Sequence, residues 1–494
     1  MHNHGIGSWT ARRARKTPHR TALVQGDVQL TYGELHARAT RLAHHLRRLG
    51  VRPGDRVAHL GPNRPSFLEV LFAAGQLGAV FVPLNTRLAE PELRHCLVDS
   101  GAGVLVHTPE FEEFAASCAL PHRVATGPGL EDELAACEPV PIDVPVSHSD
   151  NALIMYTSGT TGRAKGAVLT HGNLIWNSLN TLVDAEFGAD VVTLLSAPLF
   201  HTAALNMTCL PTVLKGGTLV LEEAFSPRRT LDLIERHRVT VMFGVPAMYQ
   251  QIAVEPRFDG ADLSSVRMLM CGGAPVPEAL IRAYQRRGLS FIQGYGMTEA
   301  SPGVCLLDAE HALDKPGSAG LPQFFSDVRI VDPAGRNASR GELLVEGPNV
   351  MRGYWNLPEE TAAALQDGWF RSGDIALADE DGYVTIVDRA KDMIISGGEN
   401  IYPAEVEKTL HEHPAVSDCA VIGVPDEKWG EVPRAVVVLS PGTDVSADDI
   451  LAFLHGRLAR YKIPKSLVLT DALPRSGTGK LLKPRIRQTF GTTS

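Results

Sequence analysis

A segment rich in glycine and hydroxyl side chains follows the apolar residues 152–155 and has the composition of a phosphate-binding loop. Glycines allow backbone N–H groups to point at an anion, hydroxyl groups donate further hydrogen bonds, and a lysine supplies positive charge. Lys165 lies between Ala164 and Gly166, so the P-loop pattern GxxxxGK[ST] is not met. The segment predicts a polyphosphate site, and the alternative is a flexible surface loop. Its residues are Tyr156, Thr157, Ser158, Gly159, Thr160, Thr161, Gly162, Arg163, Ala164, Lys165 and Gly166.

A second segment combines an aromatic ring, a hydroxyl and a carboxylate within seven residues. Glu299 stands where the third glycine of a GxGxxG fingerprint belongs, which argues against dinucleotide binding of the Rossmann type. Tyr295 can stack on a purine, Thr298 can hydrogen-bond a phosphate oxygen, and Glu299 is a hard oxygen ligand suited to Mg²⁺. The alternative is a structural turn that contains a tyrosine. The segment is Gln293, Gly294, Tyr295, Gly296, Met297, Thr298 and Glu299.

Three further polar segments follow, and all five occur in the order found in acyl-CoA synthetases, which the chain resembles over nearly its whole length. Those enzymes belong to the adenylate-forming superfamily, with peptide-synthetase adenylation domains and firefly luciferase. Within it the chain is most similar to bacterial fatty-acid–CoA ligases, and somewhat less similar to 4-coumarate–CoA ligases. The three segments are Phe370, Arg371, Ser372, Gly373 and Asp374; Asp388, Arg389, Ala390, Lys391, Asp392, Met393, Ile394, Ile395, Ser396, Gly397, Gly398, Glu399 and Asn400; and Pro474, Arg475, Ser476, Gly477, Thr478, Gly479 and Lys480.

The resemblance implies a reaction in two steps that uses ATP, Mg²⁺ and CoA. A carboxylate attacks the α-phosphate of ATP to give an acyl-adenylate and pyrophosphate, and the CoA thiol then attacks the carbonyl so that AMP leaves. Because the first step crowds negative charge around phosphorus, catalysis is expected to rest on positioning and electrostatics. By resemblance, Lys480 reaches the α-phosphate, Glu299 holds Mg²⁺, and His201 lies near the acyl carboxylate. The alternative for His201 is a packed core histidine.

The resemblance also assigns an ATP site. Asp374 would accept hydrogen bonds from both ribose hydroxyls, with Arg389 assisting, because a carboxylate can accept from a cis-diol. The alternatives are a turn-capping aspartate and a surface ion pair. The ATP-binding residues by resemblance are Thr157, Ser158, Gly159, Thr160, Thr161, Gly162, Lys165, Gly272, Gly273, Ala274, Gly294, Tyr295, Gly296, Met297, Thr298, Asp374, Arg389 and Lys480.

By resemblance, Lys391 is the hinge about which a small C-terminal domain rotates between the two steps. Glycines would then line the tunnel for the pantetheine arm, because missing side chains leave room for a narrow chain. The alternative for Trp429 is packing against neighbouring prolines. The CoA-binding residues by resemblance are Gly397, Gly398, Glu399 and Trp429.

The acyl pocket is expected from residues 200–206, 243–248, 272–274 and 302–304. These segments are largely apolar and contain no evident Arg or Lys to pair a second carboxylate, which favours a monocarboxylic acid with an alkyl or aryl body. The resemblance favours fatty acids, and an aryl or cinnamate-type acid is the alternative. The pocket residues named are His201, Phe243, Gly273, Gly296 and Pro302.

The sequence pattern predicts that the elements carrying these residues form an α/β fold. Short Val/Ile/Leu-rich runs alternate with amphipathic stretches, including a helix over 32–49, which is typical of doubly wound sheets. A smaller β region is expected over 332–383. The predicted domains are 1–390, which binds ATP and acid, and 391–494, which is mobile. The second reads as helix 403–411, strand 419–424, strand 434–439, helix 447–458 and strand 467–469.

The charge and length of the chain exclude some classes of protein. With 494 residues and a net charge of -9, the chain is too large for a small binding module and too acidic to grip nucleic acid with its whole surface. The charge is uneven, because residues 456–494 hold nine basic residues and one acidic residue. We expect this tail to handle the anions ATP and CoA, so CoA affinity should weaken with salt.

Several classes of function are disfavoured. Seven cysteines never approach CxxC spacing, so no zinc cluster or disulfide scaffold is expected and a reducing cytoplasm fits best. His44, His45, His411 and His413 are read as surface residues, with no metal beyond Mg²⁺. We expect no signal peptide and no stable membrane insertion, since residues 70–86 are too short to span a bilayer. A homodimer is left open.

Three functions remain. The first is an acyl-CoA ligase that acts on a small-molecule carboxylic acid. The second is an adenylating enzyme that activates an aromatic acid or passes its acyl group to a carrier protein or another nucleophile. The third is a catalytically silent regulator that binds nucleotide or acyl-CoA, which the presence of Lys480, Glu299 and Asp374 disfavours.

Overall fold

This computed structural model describes residues 2–157, 163–185, 187–273, 276–332, 334–389, 393–474, 481 and 483–491, and only the backbone of 387–389, 404 and 484. The strands are β1 (Thr21–Gln25), β2 (Val28–Thr31), β3 (Arg56–Leu60), β4 (Val80–Pro83), β5 (Val104–His107), β6 (His122–Ala125), β7 (Asn151–Thr157), β8 (Lys165–Thr170), β9 (Val192–Leu195), β10 (Thr218–Leu221), β11 (Val241–Gly244), β12 (Met268–Gly272), β13 (Phe291–Gly296), β14 (Gly303–Leu307), β15 (Leu321–Pro322), β16 (Asp327–Val331), β17 (Arg340–Glu346), β18 (Gly353–Tyr354), β19 (Leu365–Gln366), β20 (Trp369–Ala378), β21 (Val384–Arg389), β22 (Ile394–Ser396), β23 (Glu399–Ile401), β24 (Val416–Asp426), β25 (Gly430–Leu439) and β26 (Ser466–Leu469).

The helices cover the sheets in the alternation expected of an α/β protein. They are α1 (Trp9–Lys16), α2 (Tyr32–Arg48), α3 (Pro65–Leu77), α4 (Glu90–Ser100), α5 (Glu112–Ser117), α6 (Pro128–Ala135), α7 (His171–Asp184), α8 (Leu210–Lys215), α9 (Pro227–His237), α10 (Pro246–Ala253), α11 (Glu278–Gln285), α12 (Pro358–Ala364), α13 (Pro403–His411), α14 (Ala447–Phe453) and α15 (Lys483–Phe490). A π-helix over Ala203–Cys209 leads into α8.

The chain forms two compact units. The first consists of Met1–Thr86, Leu97–Met155 and Gly166–Val387, and the second of Arg87–Cys96, Tyr156–Lys165 and Asp388–Ser494. Two short segments from the N-terminal half therefore group with the C-terminal residues. Because residues 390–392 lie outside the described part of the chain, the domain boundary between 390 and 391 stays a prediction.

The first unit is built on two large, mostly parallel sheets and a smaller antiparallel one. Within the described residues, one sheet has the order β15-β14-β13-β12-β11-β9-β10-β1-β2, and another has β18-β8-β7-β4-β3-β5-β6. The smaller sheet has the order β16-β17-β20-β19, with β21 on β20, where the sequence predicts a β region. The α/β class with a large N-terminal part is confirmed.

The second unit contains a sheet of order β23-β22-β25-β24, with β26 parallel to β25. Helix α13 has the predicted bounds, but α14 ends at Phe453, five residues before the predicted end at 458. Gly456 follows with φ of 74°, a left-handed conformation that an α-helix does not contain. The sequence pattern of apolar residues therefore continues past the point where the backbone turns.

Helix α2 shows where the sequence interpretation of one histidine is wrong. The helix starts at a capping box, in which Thr31 and Glu34 each accept the other's backbone N–H. His45 was expected at the surface, but it is buried, on the same helix face as Leu42 and Leu46. Burial lowers the pKa of His45 and favours the neutral imidazole.

Two broader expectations can also be compared with the structure. All seven cysteines are free and buried, so they form no disulfide. Among the described residues, no helix combines the length and the apolar character needed to cross a membrane.

Candidate active site

The carboxyl ends of three neighbouring parallel strands bring together glycines from two predicted segments. β12 pairs with β11 on one side and β13 on the other, and Gly272 lies opposite Gly294. A Cβ on Gly272 would lie 2.9 Å from the carbonyl oxygen of Gly294, and 3.6 Å from the ring of Phe243. Gly273 follows with φ of 86°. Gly272 allows the close approach of the two strands, and Gly273 takes a left-handed conformation that favours glycine.

The predicted purine and ribose residues meet directly. The Tyr295 hydroxyl donates a hydrogen bond of 2.6 Å to Oδ2 of Asp374, which is buried. The backbone N–H of Asp374 donates to Oγ of Ser372, whose hydroxyl donates to the carbonyl oxygen of Leu343 on β17. Asp374 therefore has its carboxylate oriented by a tyrosine that is 79 residues away in the sequence.

Glu299 is held by a second tyrosine. The Tyr354 hydroxyl donates a hydrogen bond of 2.9 Å to Oε1 of Glu299, and the Met351 N–H donates to the Glu299 carbonyl oxygen at 2.7 Å. A carboxylate has two oxygens with about four lone-pair directions. The bond from Tyr354 thus orients the Glu299 carboxylate.

The acyl-pocket candidates lie in the first unit, and two of them, Gly296 and Pro302, pack against each other. Gly296 on β13 pairs with Gly303 on β14, and a Cβ on Gly296 would lie 1.8 Å from the carbonyl oxygen of Pro302. Gly296 is therefore needed for the close approach of the two strands. His201 is partly buried, and its ring centroid lies 4.8 Å from that of Phe200. Met297 donates its N–H to Pro302 O at 3.0 Å, and Thr298 opens a short 3-10 turn.

In the second unit, the ends of the predicted phosphate loop are close together. Thr157 Oγ1 donates to the carbonyl oxygen of Lys165 at 3.4 Å. His95 Nε2 lies 3.1 Å from the carbonyl oxygen of Ala164. The residues between, Ser158, Gly159, Thr160, Thr161 and Gly162, lie outside the described residues, so their predicted contact with phosphate stays a prediction.

Two of the predicted CoA residues, Gly397 and Trp429, contact each other. Gly397 has φ of 56°, and a Cβ there would lie 2.5 Å from the indole ring of Trp429. The missing side chain of Gly397 thus makes room for Trp429, and the contact of Gly397 with the pantetheine arm stays a prediction. The Trp429 side chain remains partly exposed. Buried Glu399 pairs with Arg87, and Gly398 has φ of 84°.

The basic tail is not uniformly a surface for anions. Lys462 is buried, and its Nζ donates to Glu92 and, at 2.8 Å, to Oε1 of Glu405. Lys483 pairs with Glu407 at 2.8 Å. Both lysines form ion pairs within the second unit. The expectation that the whole tail handles ATP and CoA is therefore wrong for these two residues. Charge counting in the sequence cannot distinguish buried from exposed lysines.

Several predicted residues cannot be placed. Ala274, Lys391 and Lys480 lie outside the described residues, as does the side chain of Arg389. Their assignments therefore rest on the sequence resemblance alone.

The sequence interpretation missed a row of asparagines on α7 that positions the acyl side. Asn173, Asn177 and Asn180 follow helical spacing and hold three loops on one face. Asn173 donates to the carbonyl oxygens of residues 348 and 350, Asn177 accepts from Gly303 N, and Asn180 accepts from Phe325 N. The spacing i, i+4, i+7 of buried asparagines was the available signal.

Comparison with known proteins identifies the architecture. The AMP-binding enzyme family matches residues 10–355, and the AMP-binding enzyme C-terminal domain matches residues 405–480. The chain belongs to the AMP-binding enzyme family. It is an AMP-forming acid–thiol ligase of the adenylate-forming superfamily, an acyl-CoA synthetase with ATP, CoA and a small carboxylic acid as its substrates.

Three relatives illustrate the range. The chain is 58% identical to a feruloyl-CoA synthase of Amycolatopsis sp, covering 99% of this chain and 100% of that one. It is 40% identical to the long-chain-fatty-acid–CoA ligase FadD13 of Mycobacterium tuberculosis, covering 99% of each. An o-succinylbenzoate CoA synthetase structure from Bacillus subtilis, with a product analogue bound, matches with a TM-score of 0.89 and 35% identity, covering 97% of this chain and 98% of that one.

Proposed function

We propose that this acyl-CoA ligase activates a hydroxycinnamate, with ferulate as the leading candidate. The observation that carries the proposal is the 58% identity to a feruloyl-CoA synthase along the whole length of both chains. Identity to the fatty-acid–CoA ligase is lower, at 40%. The aryl alternative of the sequence analysis is therefore better supported than the fatty acid that the resemblance favoured.

The first step joins the acid to AMP. A carboxylate oxygen of ferulate forms a bond to the α-phosphorus of ATP while the bond from that phosphorus to the bridging oxygen of pyrophosphate breaks. Lys480 is proposed to approach this phosphorus and offset the charge that develops there. The residues of the phosphate loop and Thr298 are proposed to hold the phosphates.

Asp374 is proposed to bind the ribose and to be kept in position by Tyr295. The 2.6 Å hydrogen bond from Tyr295 limits the orientations of the carboxylate, which reduces the ordering that ATP must impose. Gly272, Gly273 and Gly294 are proposed to leave space for the adenine ring beside Tyr295.

Glu299 fits the role of a Mg²⁺ ligand, because it presents an oxygen ligand oriented by Tyr354. No cluster of three or more His, Cys, Asp or Glu side chains that could hold a metal occurs in the described part of the chain. The remaining ligands would therefore be phosphate oxygens and water, as Mg²⁺ usually prefers in nucleotide sites. When bound, the ion neutralises phosphate charge.

The second step makes the thioester. The CoA sulfur, having lost its proton, forms a bond to the carbonyl carbon of the acyl-adenylate, and the bond from that carbon to the AMP oxygen breaks. Lys391 is proposed as the hinge about which the C-terminal domain rotates, so that different residues of that domain act in each step. Glu399 and Trp429 are proposed near the pantetheine arm.

A panel of acids tests the proposal. Pyrophosphate release is measured with cinnamate, 4-coumarate, ferulate, octanoate and dodecanoate, each with and without CoA. The expected result is the highest kcat/KM for a hydroxycinnamate, together with its CoA thioester. A higher kcat/KM for either fatty acid would contradict the substrate proposal. Pyrophosphate release that CoA does not carry to a thioester would favour the second function, and no release with any acid would favour the regulator.

A further inference from the structure

The backbone of Gly303, in the proposed acyl pocket, is held on both sides by asparagine side chains. Its N–H donates to Oδ1 of Asn177 at 3.0 Å, and its carbonyl oxygen accepts from Nδ2 of Asn349 at 2.6 Å. Both asparagines are fully buried. Asn177 Nδ2 also donates to the carbonyl oxygen of Asn206, at 3.0 Å. Two acyl-pocket segments, 200–206 and 302–304, are thereby joined through one side chain.

The position that a side chain at residue 303 would occupy is taken by Gln323. A Cβ on Gly303 would lie 1.8 Å from Oε1 and 2.9 Å from Cδ of Gln323. The carboxamide therefore lies directly against the α-carbon of Gly303. The backbone of Gln323 is fixed as well, because its N–H donates to Val304 O at 2.9 Å and its carbonyl oxygen accepts from Ser326 N at 2.7 Å.

The Gln323 carboxamide is buried without hydrogen bonds. Its residue is 2% exposed, and neither Oε1 nor Nε2 has a partner among the described residues. Leaving a buried polar group unpaired costs about 1–3 kcal/mol, so such groups are rare unless a ligand or water completes them. Two further buried atoms in or next to the expected acyl-pocket segments are in the same condition, Ser301 Oγ and Asn206 Oδ1.

These unpaired groups belong to, adjoin or contact the segments that are proposed to form the acyl pocket. Gly303 pairs with Gly296 at the end of β13, directly after Tyr295. Ser301 precedes the Pro302–Gly303 segment, and Asn206 ends the segment that contains His201. Gln323 thus contacts one proposed acyl-pocket segment through Gly303, Ser301 directly precedes that segment, and Asn206 ends another.

We propose that Gln323 determines substrate specificity by hydrogen-bonding an oxygen substituent on the aromatic ring of the acyl substrate. This inference rests on the proposed hydroxycinnamate activity. A phenolic hydroxyl can donate to Oε1 and accept from Nε2, and a methoxy oxygen can accept from Nε2. An unsubstituted ring or an alkyl chain leaves the carboxamide unpaired, which is the condition under which a polar site rejects an analogue.

The test replaces Gln323 by methionine, which is similar in length, flexible and apolar, and therefore suited to fill the same space. We measure kcat/KM of wild type and Gln323→Met for cinnamate, 4-coumarate, ferulate and dodecanoate. The expected result is about a tenfold loss with 4-coumarate or ferulate, from the lost hydrogen bond. Activity with cinnamate is expected to be unchanged or increased, since no polar group is then left unpaired.

Gln76→Met is the matched control. Gln76 is also a buried glutamine with an unpaired Nε2, but it lies on α3, where its Oε1 accepts from Thr40. This variant is expected to change the kcat/KM values for all four acids by the same factor. The comparison separates loss of a buried glutamine from loss of this particular carboxamide.

The outcomes distinguish the inference from the function on which it rests. A ratio of ferulate to cinnamate activity that is equal in wild type and Gln323→Met would overturn the inference and leave the proposed function standing. An equal loss with all four acids, accompanied by a lower melting temperature, would show a structural role only and would also overturn it. Wild-type preference for dodecanoate over every cinnamate would overturn the proposed function.

Discussion

The carboxylates of the proposed nucleotide side and the carboxamide of the proposed acyl side, both in the first unit, differ in how they are paired. On the nucleotide side, Asp374 accepts from Tyr295 and Glu299 accepts from Tyr354. On the acyl side, the amide of Gln323 and the hydroxyl of Ser301 are buried without partners among the described residues. Both regions lie within the same unit and meet at the pairing of Gly296 with Gly303.

This difference in pairing agrees with the ligand that each side is proposed to recognise. ATP is the same in every reaction of the family. The residues proposed to bind it can therefore be held in place by other groups of the protein before ATP binds. The acid differs between relatives, and the groups that recognise it gain their partners only when it is bound. Pairing within the protein favours affinity, whereas an unpaired buried group favours discrimination.

The largest expected effect is on the nucleotide side. Lys480→Ala is expected to slow acyl-adenylate formation about 1000-fold, because one charged group that stabilises the transition state is removed. Thioester formation from preformed acyl-adenylate is expected to persist. Lys408→Ala, at an exposed position on α13, serves as the control. Single-turnover assays of the two steps make the measurement, and equal loss of both would contradict the role of Lys480.

Asp374→Ala tests the ribose contact. It is expected to lower kcat/KM for ATP about 10–100-fold, as expected for loss of hydrogen bonds to a charged group. Steady-state kinetics with varied ATP make the measurement. Asp259→Ala removes an exposed aspartate of the same unit and should have no effect. An equal kcat/KM in Asp374→Ala and wild type would rule out ribose binding by this carboxylate.

Tyr295→Phe removes only the hydroxyl that orients Asp374. We expect about a five- to tenfold rise in the KM for ATP, which corresponds to one hydrogen bond. The ratio of ferulate to cinnamate activity should stay at the wild-type value, because the change is confined to the nucleotide side. A change in that ratio instead would break the proposed division between the two sides.

The smallest expected effect is on the stability of the fold, and it comes from Glu405, a buried carboxyl paired with Lys462. Burial, in spite of the nearby Lys462, raises the pKa of Glu405 above its ordinary value of 4.5. The folded state therefore holds this proton more tightly than the unfolded state, and stability falls as the pH rises from 4.5 toward neutrality. Glu405→Gln should flatten this dependence in melting temperatures recorded from pH 4.5 to 7.5. An unchanged slope would show that another group causes it.

The sequence predicted the nucleotide side better than the acyl side, for a physical reason. Tyr295, Glu299 and Asp374 belong to short segments whose residue types match the chemistry of ATP, and the structure brings Tyr295 and Asp374 together. Gln323 lies twenty residues from Gly303 in the sequence, and the antiparallel pairing of β15 with β14 brings it against that glycine. A glycine in a strand signals a close approach, but it does not reveal which residue approaches.

Other differences have the same origin. Lys462 looked like part of a basic surface because charge counting carries no information on burial, yet the fold places it between two glutamates. Gly397 lacks a side chain where Trp429 packs, a contact that the sequence did not indicate, and its predicted contact with CoA stays a prediction. In both cases the sequence indicated a property of the residue correctly, and the packing partner came from a distant segment.

One competition experiment tests the central claim most directly. The wild-type enzyme is given equal concentrations of ferulate and dodecanoate with ATP, Mg²⁺ and CoA, and the CoA thioesters are quantified by mass spectrometry at early times. Feruloyl-CoA is predicted to be the main product, formed together with AMP and pyrophosphate. Dodecanoyl-CoA as the main product would contradict the account.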